Sequence, residues 1–238
     1  MEDVAEILRL LRLRIERASA RAGRNADAVT LIAASKTVAP QRLRLFIEAG
    51  LGDAGENYVQ EAIAKIEFIR QEAPSAAVRW HCIGRLQSNK AREAVRYFTM
   101  IHSVDRLSLA VELDKAARAV HTVQEVLLQV NVGGEASKAG CAPHELRALA
   151  QGCRSLPNLA VRGLMCLPPY HEDAEQTRPY FTMLRERRDT LCSRPDAVFT
   201  AESFRHLSMG MSNNFEVAIE EGATMVRIGT GLFGARSG

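Results

Sequence analysis

Lys36 stands directly after the apolar run AVTLIAAS (28–35), at the end of a candidate strand. An amine placed there becomes a nucleophile toward an aldehyde once partial desolvation lowers its pKa; a solvated lysine is the competing reading of the residue alone. Two short loops, Ser208-Met-Gly-Met-Ser212 and Gly229-Thr-Gly231, suit a phosphate. Their small residues let backbone N–H groups approach phosphate oxygens, and the hydroxyls of Ser208 and Thr230 add donors. Taken singly they are also plain turns, with Ser212 or Asn213 capping the helix FEVAIEE that follows. Arg227 alternates with Val226 and Ile228 and so points to the opposite face from two apolar neighbours. If that face is inward, Arg227 pairs with a carboxylate or a phosphate, or faces a ring nitrogen; the residue alone leaves all three open. Asn57, in GENYVQE, reads as a helix cap with Gln60 as its capping-box partner. His81, between Trp80 and Cys82, shares a strand face with Ile83 and reads as a hydrogen-bonded core histidine unless a ligand lies beside it.

Other chemistries are excluded on pattern. Gly50-Leu-Gly52-Asp-Ala-Gly55 follows a helix rather than a strand, and Gly229-Thr-Gly231-Leu-Phe-Gly234 has no βαβ unit or distal acid after it, so neither is a dinucleotide fingerprint. There is no P-loop and no H-E-x-x-H, and Cys141 with His144 is too little for a metal site. Five cysteines form an odd set without C-x-x-C pairing, which suits reduced thiols in a cytoplasmic protein. With 31 basic and 28 acidic residues dispersed along the chain, there is no footprint for nucleic acid or an anionic membrane. The Leu- and Arg-rich start is broken by Glu6 and Glu16, so no secretory leader or membrane span is expected.

The elements that must position these residues follow from periodicity. Leu8, Leu11, Ile15 and Ala18 recur at helical spacing and predict a leading N-terminal helix ending near Gly23. Eight β-rich runs then alternate with amphipathic stretches: AVTLIAAS, LGDAG, VRWHCIG, TMIHSV, VLLQVNV, AVRGLMC, RHLSM and TMVRIG. Eight strand–helix units in 238 residues suit one closed (β/α)8 TIM barrel, a single domain over 1–238, better than an open sheet. Pro40 and Gly50 bracket one helix; Pro143 and Gly152 are expected to bracket another. The stretch around Pro168 and Pro169 is the one marked loop insertion. In such a barrel Lys36 falls at the C-terminal mouth and the two glycine loops follow strands seven and eight, where phosphate is often held.

Taken in order, SKT (35–37), GENYVQE (55–61), WHCIGRLQSNK (80–90), ASKAG (136–140), GLMCLP (163–168), HLSMGMS (206–212) and MVRIGTGLFGAR (225–236) resemble the pyridoxal phosphate homeostasis protein family, from about residue 30 to residue 236. The resemblance implies a barrel of the alanine racemase N-terminal-domain type that binds pyridoxal 5'-phosphate (PLP) as a Schiff base on Lys36. It places Asn57 against the ring, His81 in strand three beside the site, Arg227 on the ring nitrogen, and Ser208, Met209, Gly210, Gly229 and Thr230 at the phosphate. Asn214 departs from the family's usual aspartate, which touches local capping, and Arg85 falls where the family varies.

The implied activity is cofactor binding, homeostasis and delivery to apo-enzymes as a cytoplasmic monomer, without substantial turnover. The alternative is a PLP-dependent amino-acid racemase or decarboxylase; racemases of this fold add a C-terminal β domain, for which the chain past Arg236 leaves no room. A Schiff-base aldolase is a third reading, disfavoured because aldolase lysines sit further along the barrel. Lys138 is read either as a secondary acceptor or as a solvated loop lysine.

Overall fold

In a computed structural model, which describes residues 3–134, 139–193 and 195–234, eight parallel strands close into a barrel in sequence order. They are β1 (Thr30–Ala34), β2 (Asp53–Glu56), β3 (Arg79–Cys82), β4 (Met100–Val104), β5 (Gln124–Val130), β6 (Leu159–Cys166), β7 (His206–Ser208) and β8 (Met225–Ile228). Each expected β-rich run carries one of them. α1 (Val4–Arg21) precedes β1. α2 (Pro40–Glu48), α3 (Val59–Glu72), α4 (Ala91–Tyr97), α5 (Leu107–Ala119), α6 (Leu146–Arg154), α7 (Arg178–Cys192), α8 (Phe215–Glu220) and α9 (Thr230–Phe233) follow successive strands. Lys138 lies outside the described residues.

The leading helix forms where its apolar stripe requires. Asp3 caps it by accepting from the Ala5 and Glu6 amides, and Leu8, Leu11, Ile15 and Ala18 are buried. It packs across α8, where Arg14 pairs with Glu216 at 3.1 Å and Arg21 with Glu220 at 2.7 Å. These exposed pairs fix the crossing more than they stabilise it; burial of the stripe does that.

Period-two alternation splits the barrel side chains. Ile32, Met100, Leu127, Met165 and Met225 form an inner apolar cluster, separate from the larger core between strands and helices. Gly163 lets β6 close against β7. A Cβ there would lie 1.9 Å from the His206 carbonyl oxygen, and the β5–β6 register slips at this point, with Val126 opposite Val161 but Leu127 opposite Gly163.

Several local expectations are corrected. Gly152 lies inside α6 rather than beyond its end, because a Cβ there would meet Leu107 Cδ1 at 2.9 Å: it is a packing glycine between α5 and α6. The Asn57–Gln60 capping box does not form; the cap of α3 is Tyr58, without a side-chain bond. The backbone of Asn57 is instead wedged against Gly84, where a Cβ would sit 2.5 Å from the Asn57 oxygen. Neither Ser212 nor Asn213 caps α8: Asn214 is the cap residue, and its Oδ1 accepts from the Met211 amide at 2.8 Å. An aspartate would offer the same acceptor, so the departure is conservative. The Pro168–Pro169 loop is not alone: residues 195–205 and the described residues between β5 and α6 also lie outside helices and strands.

The five cysteines are unpaired. Burial pushes the thiols of Cys82, Cys141, Cys153 and Cys166 up to about 12, so none of these four is poised as a nucleophile. No helix among the described residues is long and apolar enough to cross a membrane.

Candidate functional site

Lys36 follows β1 at the C-terminal mouth and is half-buried. The residue before it is held on three sides. Ser35 donates its amide to the Gly55 carbonyl at 3.0 Å and its hydroxyl to Glu56 Oε1 at 2.6 Å, and its carbonyl accepts from Lys65 Nζ at 2.6 Å. Lys65 and Glu56 form an ion pair with side chains 7% and 0% exposed, lodged between the barrel and α3. Ser35 and Glu56 face outward toward α3, whereas Ile32 of β1 faces into the barrel. The turn after the lysine is sharp: Thr37 takes φ 67°, and the Val38 amide bonds back to the Ser35 carbonyl at 3.0 Å. Lys65 was missed in the sequence, because nothing there marks one amphipathic-helix lysine as buried.

β8 pairs with β1 so that Arg227 stands beside Ile32. Beyond it, an added Cβ on Gly229 would approach the Ala34 carbonyl to 3.5 Å, which brings the loop after β8 alongside the chain leading to Lys36. The amides of Gly229 and Gly231 both donate to one oxygen, Ser212 Oγ, each at 3.2 Å. Two N–H groups converging on one oxygen position are the kind of donor set that phosphate oxygens use. Thr230, between them, is exposed. Gly210 has φ 94°, and a side chain there would strike Ala218 Cβ at 2.7 Å and Phe215 Cα at 2.9 Å. The Met209 amide donates to the Met225 carbonyl at 3.1 Å, so it serves the β7–β8 junction.

The Ser208 hydroxyl, expected beside a phosphate, is buried inside the barrel, 2.9 Å from His102 Nδ1 and 2.5 Å from Arg227 Nη1. Strand parity turns it inward while the loop begins one residue later. Arg227 is 4% exposed, and its Nη2 donates to the Cys166 carbonyl at 2.8 Å. Burial lowers its pKa to about 10, which leaves it charged at neutral pH.

From Ser208 the polar contacts continue. His102 Nε2 lies 3.0 Å from His81 Nδ1, His81 Nε2 lies 2.8 Å from Asp53 Oδ1, and Arg79 donates to Asp53 Oδ2 at 2.8 Å. His81 is therefore the hydrogen-bonded interior residue its strand position suggests, but it has a partner, His102, that was overlooked. The paired strands β3 and β4 each carry an inward histidine, visible in WHC and IHS only after strand pairing is known. A cavity of about 760 Å³ opens at the other end of the barrel, with Thr30, Asp53, Thr99, Glu125 and Thr224 from the strand starts in its wall. It meets the interior chain at Asp53 and His81, remote from Lys36.

Barrel and mouth together define a (β/α)8 protein of the alanine racemase N-terminal domain class, and the profile of that domain family matches residues 8–237. The chain is similar to the pyridoxal phosphate homeostasis protein of Aquifex aeolicus, 48% identical over 94% of each chain. It is 44% identical to that of Pseudomonas aeruginosa, over 99% of this chain and 97% of the relative. The solved structure of PipY from Synechococcus elongatus with PLP bound superposes with a TM-score of 0.82 at 36% identity, covering 98% of this chain and all of the other. The chain belongs to the pyridoxal phosphate homeostasis protein family.

Proposed function

We propose that this protein binds PLP at the C-terminal mouth of the barrel, retains it through Lys36 and passes it to apo-enzymes as a cytoplasmic monomer, without substantial turnover. One observation carries the reading: the β1 end, β8 and the loop after β8 bring Lys36, Arg227 and two converging backbone amides to the same side of the barrel, residues whose types supply a nucleophile and donors. That set complements a ligand with an aldehyde, a phosphate and a ring acceptor. When bound, PLP supplies the aldehyde and an electron-withdrawing ring.

The roles of the residues follow from their chemistry. Lys36 takes the aldehyde carbon, with Ser35 clamped behind it. Gly210, Gly229 and Thr230 line the phosphate end, Met209 holds the strand junction beneath it, and Asn57 borders the ring. Ser208 and His81 act from within the barrel. Arg227 only donates, so it leaves a ring nitrogen unprotonated and the ring a weak electron sink. This supports retention over catalysis, as do the names of the curated relatives and the PLP bound in PipY.

The test is an absorbance spectrum of the purified protein, borohydride reduction and peptide mapping. The label is expected on Lys36 and the band lost in Lys36→Ala; label mainly on another lysine sinks the assignment. The same preparation is then incubated with single enantiomers of the common amino acids. Turnover on the order of 1 per second or above would establish the racemase or decarboxylase reading instead.

A further inference from the structure

The hydrogen bonds that cross the barrel interior have only one consistent direction. Arg227 can only donate, so Ser208 Oγ accepts from Nη1 at 2.5 Å. The Ser208 proton then has His102 Nδ1, 2.9 Å away, as its acceptor. With Nδ1 accepting, the His102 proton sits on Nε2 and is donated to His81 Nδ1 at 3.0 Å. His81 in turn carries its proton on Nε2 and donates it to Asp53 at 2.8 Å. The opposite polarity would aim two donors, Arg227 and His102, at Ser208 Oγ and leave the hydroxyl proton with no acceptor among the described residues. An arginine at one end and a carboxylate at the other thus dictate both histidine tautomers. Every link is buried: Ser208 and His102 are 0% exposed, His81 3% and Asp53 6%. In such surroundings a broken link leaves an unsatisfied group rather than a solvated one.

We propose that His102, backed by His81 and Asp53, is a positioning residue for Arg227: by taking the Ser208 proton it makes Ser208 Oγ an acceptor for Nη1 and so fixes the guanidinium at the cofactor mouth. The Cys166 carbonyl holds Nη2, and Ser208 supplies the second anchor that stops the planar group from rotating. Burial also keeps the His102 imidazole neutral, in accord with an accepting Nδ1. The inference rests on the PLP reading for its consequence, but the chain itself belongs to the protein without ligand.

The two parts are therefore tested separately. Nitrogen-15 NMR of histidine-labelled protein without cofactor is expected to show both His81 and His102 protonated at Nε2 and bare at Nδ1; an Nδ1–H tautomer or a doubly protonated ring at either residue overturns the proposal. On the loaded protein, His102→Phe is expected to weaken PLP retention about tenfold and to shift its absorbance band, because the arginine loses a charge-assisted anchor. His102→Asn sets a carboxamide oxygen where Nδ1 lies and is expected to restore both readouts. Ser208→Ala, a small truncation for use if the Phe variant does not fold, is expected to match His102→Phe. Unchanged affinity and spectrum in folded His102→Phe or Ser208→Ala overturn the positioning role while leaving PLP binding intact. If the parent protein binds no PLP, the functional reading fails instead, and the tautomer measurement still decides the chain.

Discussion

At the scale of single residues, the division of labour between Ser208 and Thr230 separates two parts of the mouth that the sequence runs together. Both hydroxyls belong to small-residue loops, yet Ser208 is inside the barrel and Thr230 is exposed beside the converging amides of Gly229 and Gly231. Thr230→Ala is expected to weaken PLP about tenfold while leaving unphosphorylated pyridoxal nearly unaffected, since a hydrogen bond to a charged group is worth about 1.5–3 kcal/mol. Ser208→Ala, acting through Arg227, is expected to weaken both ligands alike. Titrating each variant with the two ligands checks this, and a phosphate-selective loss in Ser208→Ala would put its hydroxyl back at the phosphate.

At the scale of elements, the β6–β7 junction sets how the mouth is closed. His206, Leu207 and Ser208 pair with Gly163, Leu164 and Met165, and Ser208 pairs on the other side with Met225 of β8. Gly163 permits that approach, because a Cβ would lie 1.9 Å from the His206 oxygen, a backbone atom that cannot swing away. Gly163→Ala is expected to destabilise the fold by about 3 kcal/mol or more, through clash and backbone strain. Urea unfolding of parent and variant measures it; a loss under 1 kcal/mol, on the order of a surface change, would mean that β7 shifts without penalty.

At the scale of the whole molecule, His102 and His206 tie stability to pH. Burial, aided by His81 and Arg227, holds His102 well below the ordinary histidine value of 6.5, and burial with Arg205 nearby lowers His206 to about 4. The unfolded chain therefore binds more protons than the folded one below pH 6.5, so stability is complete above that value and declines as pH falls. The limiting slope for fully buried His102 is about 1.4 kcal/mol per pH unit; His206, partly in solvent, adds less. Asp53 acts in the same sense at lower pH. Burial opposes its ionisation, but hydrogen bonds from His81 and Arg79 outweigh that and hold it below its usual 3.8, so its contribution is lost as pH drops through the folded value. Denaturant unfolding at pH 7.5, 6 and 5 tests this, and equal stability across the series would show that the native imidazoles titrate normally.

The sequence by itself determined the barrel, because eight strands alternating with amphipathic helices leave one economical closure, and it marked Lys36, Arg227 and the glycine loops because strand ends and small residues are local features. That Arg227 lies on the face opposite Val226 and Ile228 followed from two-residue alternation alone. Only the tertiary structure decided what those residues touch. The Ser35–Glu56–Lys65 clamp needs α3 folded back onto β2. Ser212 as the tie between two loops needs β7 and β8 side by side. The two histidines become a chain only when β3 and β4 pair and β7 and β8 bring Ser208 and Arg227 across the barrel. A hydrogen bond between residues 106 positions apart has no local signature; its partners are selected by strand register, which closure of the sheet sets.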